Sequence, residues 1–222
     1  PFVAKSRGIP IAKIAAKIMV GDLLTEVLKK FEIRESEHFC VKESVFPFNK
    51  LDGVDLILGP EMKSTGEVMG IDKNFLSSFA KSQIAAGNLL PTKGNVFVSI
   101  DDTNKDKFIS IARKLQNLNF NLIATNGTAV YLNENNISAT KINKVKEGSP
   151  HIVDSLIGGK IDLVINTTKS QSSIKDSYSI KRTSLMYNIP YYTTIAGAEV
   201  AIDAIEHMQN NDFKIKSLQS LN

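Results

Sequence analysis

Cysteine is nearly absent from this chain, because Cys40 is its only cysteine. One thiol cannot form an internal disulfide, so we expect a reducing compartment, with the cytoplasm as the default. The longest apolar stretch, residues 9–20, is interrupted by Lys13 and Lys17 and is too short to span a bilayer. We therefore expect no transmembrane helix and no membrane partner. Since the chain begins with Pro1, we expect it to be a piece of a longer protein.

Arginine is also scarce, since only four of the 27 basic residues are arginines. The net charge of +4 and the isoelectric point near 9.0 would suit a nucleic-acid-binding protein. The lysines, however, are dispersed without interleaved aromatic residues, whereas arginine is the residue that best clamps phosphates and reads bases. We therefore expect no nucleic-acid partner.

Common signatures of catalysis are missing as well. The sequence has neither a G-x-x-x-x-G-K-[ST] phosphate loop nor a G-x-G-x-x-G dinucleotide fingerprint, and no nucleophile is recognisably paired with a base. His38 and Cys40 have no third partner for zinc. Asp101 and Asp102 precede a predicted helix, where carboxylates complement the helix dipole. We therefore expect no metal site and no catalytic residue.

The chain divides near residue 92 into two parts with different patterns of predicted secondary structure. An apolar content of 42% in 222 residues can form one good core and a smaller second one. In the first part we predict a helix over 10–20, a strand over 39–46, a loop with a short strand over 49–70, and a helix capped by Asp72 that ends near Ala86. In that last helix, Phe75, Phe79 and Ile84 should face inward.

After residue 94, strands and helices alternate. Strands are predicted over 96–100, 121–124, 140–142, 161–165 and 191–193, and helices over 105–118, 129–133, 150–158, 175–188 and 196–209. Such alternation predicts βαβ crossovers and a mostly parallel sheet. The fold class is therefore α/β, with units 1–92 and 93–222.

Two polar loops carry the clearest functional signal. They are Thr125-Asn126-Gly127-Thr128 and Asn166-Thr167-Thr168, each after an apolar, β-type run. Each should lie at the carboxyl edge of the sheet, where open α/β sheets bind ligands. Gly127 would let the backbone approach a ligand, and the helix expected after Thr128 would offer N–H groups to an anion. Taken singly, each loop could equally be an ordinary helix cap.

Further polar residues follow other strands of the predicted sheet. Ser99 and Lys105 flank the end of the first strand, and Lys144 follows the third. Together with the two loops they predict a site for a phosphorylated small molecule. Lys144 should be partly desolvated beside a central strand, and Lys105 should open a more exposed helix. His151 follows Pro150, which suits the first helical position, so we expect a residue of the first turn rather than a catalyst.

Longer motifs resemble one known family. The runs are SVFPFNKLDGVD, LGPEMKSTGEVMG, ATNGTA, NKVKEGSPHI and INTT, spread in this order over nearly the whole chain. They resemble the carboxyl-terminal part of the large subunit of carbamoyl-phosphate synthetase. The resemblance implies that residues 1–92 are the tail of the second ATP-grasp unit and a linker. Residues 93–222 would be a methylglyoxal-synthase-like allosteric domain, a Rossmann-like five-stranded parallel sheet flanked by helices.

The resemblance also implies an activity and partners. The family's enzyme is an ATP-dependent ligase that makes carbamoyl phosphate from bicarbonate, glutamine-derived ammonia and ATP, for arginine and pyrimidine biosynthesis. It uses Mg or Mn with ATP and has a glutaminase small subunit. The family's metal-binding residues precede the motif that begins near Pro1, so this segment is expected to hold no catalytic residue, metal or cofactor of its own. Its expected ligands are the effectors UMP, IMP and ornithine.

The family's effector positions carry over onto residues of this chain. The nucleotide positions are Ser99, Lys105, Thr125, Thr128, Lys144, Asn166, Thr167 and Thr168, and the ornithine positions are Glu43 and Thr193. One departure is that Gln171-Ser172 replaces the Arg pair that bacterial relatives carry after the N-T-T motif. Gln and Ser cannot hold a phosphate bidentately, although Lys169 could act as a point charge.

Two alternatives differ in class from a regulatory module. A free-standing methylglyoxal-synthase-like lyase would eliminate phosphate from dihydroxyacetone phosphate, but it needs a carboxylate on the rim. The run after Asn166 offers none before Asp176, which should lie one turn into a helix. The other alternative is an interaction domain that binds no small molecule at this edge.

Overall fold

The computed structural model describes residues 1–31, 37–46, 61–167 and 171–218, apart from the side chains of residues 171–176. Its first part consists of short helices and one antiparallel pair of strands. In chain order these elements are α1 (Phe2–Arg7), α2 (Ile11–Met19), α3 (Leu24–Leu28), β1 (Phe39–Val45), β2 (Gly66–Asp72) and α4 (Phe75–Ala85).

The predictions for this part are confirmed for α2 and β1. Helices α1 and α3 were not predicted, because elements of six and five residues are too short to display a helical period. The predicted loop over 49–70 lies partly outside the described residues. Its described end contains β2, a strand of seven residues.

Helix α4 differs from its prediction in its cap and in its buried face. Its N-cap is Asn74, whose Oδ1 accepts from the backbone N–H of Ser77 at 3.1 Å. Asp72 instead accepts from the backbone N–H of Asn74. Of the three residues predicted to face inward, Phe79 packs against the hydrophobic core as predicted, whereas Phe75 and Ile84 are exposed by 41% and 40%. The buried positions of the helix are small or polar. On the side that faces β2, the close approach of the two backbones leaves room only for small side chains such as Ser78 and Ser82.

The second part is an α/β unit built on a parallel sheet, as predicted. Its strands are β3 (Gly94–Ser99), β4 (Phe120–Thr125), β5 (Ala139–Ile142), β6 (Leu163–Asn166) and β7 (Tyr191–Tyr192), in the spatial order β5-β4-β3-β6-β7. Its helices are α5 (Lys105–Asn117), α6 (Asn126–Glu134), α7 (Ile152–Ile157), α8 (Gln171–Met186) and α9 (Ile195–Asn210). The sheet is five-stranded among the described residues, and all its pairs are parallel.

Both faces of the sheet are covered, and alternate residues of β3 show this. Val96 and Val98 belong to the larger core cluster, together with residues of α4, α5, α6 and α9. Phe97 points to the other face and packs with Ile152 of α7 and Ile180 of α8. Side chains of successive strand residues point to opposite faces, so a fully buried strand reads as a continuous apolar run.

Helix α4 joins the first part of the chain to this core. It contacts β1 and β2 on one side and α9 on the other. Ala80 of α4 and Leu90 belong to the larger cluster. The boundary near residue 92 stays a prediction.

Candidate functional site

The candidate site is the rim formed by the carboxyl ends of β3, β4 and β6 and the helices that follow them. Ser99 and Asn166 are paired in register on β3 and β6. Thr125 at the end of β4 directs its hydroxyl to Ser99 Oγ at 3.4 Å. The backbone N–H of Thr167 donates to the Ser99 carbonyl at 3.0 Å. The structure thus brings four of the predicted residues to one edge, where each is buried.

Two hydroxyls of the rim hold the connection between β3 and α5. Thr128 Oγ1 accepts from the backbone N–H of Ile100 at 3.1 Å. Thr167 Oγ1 accepts from the backbone N–H of Asp101 at 3.1 Å and donates to Asp101 Oδ2 at 2.9 Å. The Asp101 carboxylate also accepts from the backbone N–H of Thr103, which caps a 3-10 turn. Thr128 and Thr167 therefore form the floor of the rim. Asp101 precedes the helix as predicted, and its carboxylate caps the 3-10 turn that leads into α5.

Helix α6 begins earlier than predicted. Its N-cap is Thr125 and its first residue is Asn126, so Gly127 and Thr128 belong to the first turn rather than to a loop. The Thr125 hydroxyl is turned toward Ser99 and does not cap the helix. The N–H groups of this first turn can therefore serve an anion.

Lys105 is the cation beside that first turn. A Cβ added at Gly127 would lie 3.7 Å from Lys105 Nζ, its one neighbour within 4 Å among the described residues. The ammonium pairs with Asp102 Oδ1 at 2.6 Å and lies 5.6 Å from the centre of the Tyr131 ring. Tyr131 is itself held by a hydrogen bond to Asp106. The Lys105 side chain is only 17% exposed, so these contacts fix its charge at the rim.

Lys144 has a different setting from the one predicted. It follows β5, an edge strand of the sheet, and is exposed. Its backbone N–H donates to Glu147 Oε2 at 2.9 Å, at the start of a 3-10 turn. The prediction that Lys144 is the more desolvated of the two lysines is wrong. Lys144 follows the edge strand β5, whereas Lys105 follows the central strand β3 and is the more buried of the two lysines. Local periodicity does not predict this strand order.

The side chain of Asn166 connects the rim to strand β7. Its Nδ2 donates to Tyr191 OH at 2.9 Å and to Ser177 Oγ at 3.3 Å. Burial raises the pKa of Tyr191 to about 12, although the hydrogen bond from Asn166 lowers it. Tyr191 thus stays a neutral phenol at physiological pH. The predicted positions Thr168 and Lys169 and the side chains of Gln171, Ser172 and Asp176 lie outside the described residues.

The two predicted ornithine positions lie on either side of a seam, the contact of β1 and α4 with β7 and α9. Glu43 on β1 accepts from Gln83 Nε2 of α4 at 2.8 Å. Gln83 Oε1 in turn accepts from Tyr192 OH at 3.4 Å. Thr193, which is exposed, follows Tyr192 directly. Sequence reasoning missed Gln83 and Tyr192, because nothing in a helical or strand pattern marks a polar side chain that bridges two distant elements.

His151 has a structural role at the start of a helix, as predicted, but it lies just before the first helical turn rather than within it. It is the N-cap of α7, and its Nδ1 accepts from the backbone N–H of Asp154 at 3.3 Å. Pro150 precedes the cap, so the prediction that Pro150 is the first helical residue is wrong. Among the described residues, no three His, Cys, Asp or Glu side chains are grouped as a metal site.

A serine and a histidine meet outside the rim, a contact that the sequence pattern does not reveal. Ser77 Oγ lies 2.8 Å from His207 Nε2, across 130 residues of sequence, in a cleft of about 360 Å³. Asn211 Nδ2 donates to the His207 carbonyl at 2.9 Å. This hydrogen bond orients the Asn211 amide so that Nδ2 also donates to His207 Nδ1 at 3.2 Å. A neutral His207 then carries its proton on Nε2 and donates to Ser77. The pair therefore does not activate the serine.

Comparison with known proteins agrees with the fold. Residues 107–193 match the family of MGS-like domains. A carbamoyl phosphate synthase large chain of Rhizobium meliloti (strain 1021) is 49% identical over 99% of this chain and 19% of its own length. The proteins of the same name from Myxococcus xanthus and Archaeoglobus fulgidus are 49% and 46% identical, again over 99% of this chain and 20% of their own lengths.

This chain therefore spans about a fifth of the length of the curated relatives that it matches. Throughout the described ranges, no helix has the length and apolar character needed to cross a membrane.

Proposed function

We propose that this chain, which belongs to the family of carbamoyl phosphate synthase large chains, is the regulatory carboxyl-terminal part of such a subunit. In this proposal the complete enzyme is a cytoplasmic ligase that makes carbamoyl phosphate from bicarbonate, glutamine-derived ammonia and ATP with Mg²⁺ or Mn²⁺. Its partners are the rest of the large subunit and a glutaminase small subunit. This segment binds effectors and leaves the chemistry to the remainder of the enzyme.

The rim binds a nucleotide monophosphate, UMP or IMP, through its phosphate. The observation that carries this proposal is the placement of the sequestered Lys105 ammonium beside the first turn of α6, whose N-cap residue Thr125 turns its hydroxyl toward Ser99. A helix N-terminus attracts an anion, and an ammonium at the same point adds a charged hydrogen bond. Lys144 contributes a second, more exposed cation from the neighbouring strand.

A thermal-shift experiment with this chain tests the nucleotide proposal. A ligand that binds only the native state stabilises it by about 2.7 kcal/mol at roughly 100 times its Kd. UMP or IMP should raise the melting temperature. In a separate incubation, the chain should release no phosphate from dihydroxyacetone phosphate. Release of phosphate from dihydroxyacetone phosphate would indicate the lyase instead, and no shift with either nucleotide would indicate an interaction domain.

Glu43 and Thr193 form part of an ornithine site at the seam. A carboxylate pairs with the ligand's ammonium group, and the Thr hydroxyl adds a directional contact. In the complete enzyme, Glu43→Gln should reduce activation by ornithine and leave UMP binding unchanged. A loss of UMP affinity in Glu43→Gln as large as the loss of ornithine affinity would show that the seam and the rim are one site.

A further inference from the structure

We propose that Gln83 is a positioning residue of the seam: its amide orients the Glu43 carboxylate toward a cationic ligand and ties that carboxylate to the end of strand β7. This inference rests on the proposed function of Glu43 and Thr193 as ligands of a cationic amino acid. It adds a residue that does not touch the ligand and acts through Glu43.

The amide of Gln83 has only one orientation that satisfies both neighbours. Gln83 lies on α4 and is 5% exposed. A carboxylate only accepts, so the donor Nε2 faces Glu43 Oε2 at 2.8 Å. Oε1 then faces the opposite direction, where it accepts the Tyr192 hydroxyl at 3.4 Å. The buried amide therefore fixes the position of the carboxylate relative to β7.

Strand β7 carries the connection onward, because its two tyrosines point to opposite faces of the sheet. Tyr192 packs against the larger core cluster, on the side of α4 and α9. Tyr191 packs against the smaller cluster and accepts from Asn166 of the rim at 2.9 Å. One strand of two residues thus contacts both proposed effector sites.

The protonation of Glu43 gives this role a measurable signature. Glu43 is half-buried, and burial raises its pKa, while the hydrogen bonds from Gln83 and from the backbone of Ser44 lower it. From β7 it faces Tyr192, whose pKa is raised by burial and by the charge of Glu43, so Tyr192 stays a neutral donor. From β2, Val68 is its partner in register. An ammonium ligand needs the ionised carboxylate, so Gln83 extends binding to lower pH.

The test is the pH dependence of L-ornithine binding to the complete enzyme, measured by calorimetry between about pH 5 and 8. Gln83→Met keeps the length of the side chain and removes both hydrogen bonds. It should weaken binding at neutral pH by roughly five- to tenfold and move the acidic midpoint of affinity to higher pH. Ser82→Ala is the matched control, since Ser82 is a buried neighbour whose hydroxyl donates to the Phe79 carbonyl of the same helix, and it should leave both quantities unchanged.

The outcomes separate this inference from the proposal on which it rests. If the unaltered enzyme binds no ornithine at any pH, the proposed seam site fails, and this inference fails with it. If the unaltered enzyme binds ornithine and Gln83→Met keeps the same midpoint, the seam site stands and only the role of Gln83 is overturned. If Gln83→Met does not fold, Tyr192→Phe takes its place: it should weaken ornithine binding about two- to threefold and shift the midpoint in the same direction, and an unchanged profile would overturn the inference.

Discussion

Lys105 owes its importance at the rim to its surroundings rather than to its charge alone. Asp102, the Tyr131 ring and the first turn of α6 hold the ammonium where an anion would meet helix N–H groups. The pair with Asp102 is unequal, since the Asp102 side chain is 92% exposed and the Lys105 side chain is 17% exposed. Water screens the carboxylate, so an incoming phosphate can compete for the lysine.

Replacing Lys105 should therefore weaken nucleotide binding more than replacing Lys144. Lys105→Ala should reduce UMP affinity about 10- to 100-fold, as expected for loss of a charged hydrogen bond, and Lys144→Ala only a few-fold because its charge is exposed. Calorimetric titration of both variants measures the difference. Lys107→Ala, an exposed lysine of the same helix α5, is the control and should bind as the parent does. Equal losses for Lys105 and Lys144 would contradict this placement of the phosphate.

The sequence predicts which residues lie at the rim, but it does not predict which of them hold the backbone of the neighbouring loop. Thr and Asn after apolar runs mark strand ends, and this led to Ser99, Thr125 and Asn166. That Thr128 and Thr167 support the backbone of Ile100 and Asp101 depends on which strands are neighbours. Strand order is a property of long-range packing, and local periodicity carries no signal for it.

At the scale of elements, the close approach of α4 to β2 shows why a glycine is needed within the run LGPEMKSTGEVMG. A Cβ on Gly70 would lie 1.8 Å from the Ser78 carbonyl oxygen and 2.5 Å from the Ser82 backbone nitrogen. Both are backbone atoms of a helix and cannot move independently. Small buried residues on α4 and this glycine on β2 therefore let the helix lie directly on the strand.

Gly70→Ala should consequently destabilise the chain by at least about 2 kcal/mol, because the helix must move away from the strand. Gly66→Ala on the same strand is the matched control, since no atom lies within 4 Å of the added Cβ among the described residues. Urea denaturation of both variants gives the free energies of unfolding. A Gly70→Ala variant as stable as Gly66→Ala would show that α4 does not lie against β2 in this way.

The elements themselves were largely predictable, and the exceptions have physical causes. Long periodic segments such as α5 and α9 were predicted to within one or two residues at each end. Helices α1 and α3 have too few residues for a period. Of the residues predicted to face inward on α4, Phe79 does pack against the core, but close packing on β2 selects Ser78 and Ser82 on the other side of the helix.

Across the molecule, Lys81 of α4 joins strand β2 to the tail after α9, which lies 133 residues further along the chain. Its ammonium lies 2.6 Å from Asp72 Oδ2, 3.3 Å from the Ile71 carbonyl and 2.7 Å from the carbonyl of Lys214 in the tail after α9. Burial alone would raise the pKa of Asp72, but hydrogen bonds from Lys81 and from the backbone of Asn74 outweigh it and lower the pKa. The stabilisation from this pair is therefore present above the ordinary pKa of Asp72, 3.8, and is lost as the pH falls through the lowered value.

Lys81→Met should therefore loosen the tail. Limited proteolysis at neutral pH should cut the region after residue 210 faster, and the free energy of unfolding should fall by about 1 to 3 kcal/mol. This difference should shrink in acid, where Asp72 is protonated. Lys73→Met is the control, because its pair with Glu37 is exposed on both sides. Unchanged cleavage of the tail in Lys81→Met would contradict the account of this junction.

The proposed function of the rim is to bind the phosphate of a nucleotide effector. The most direct measurement is calorimetric titration of this chain with UMP and with uridine, which differ only in the phosphate, repeated on Lys105→Ala. UMP should bind, uridine should bind far more weakly, and Lys105→Ala should remove most of the difference between them. Equal affinity for UMP and uridine, or an undiminished preference for UMP in Lys105→Ala, would contradict this proposed function.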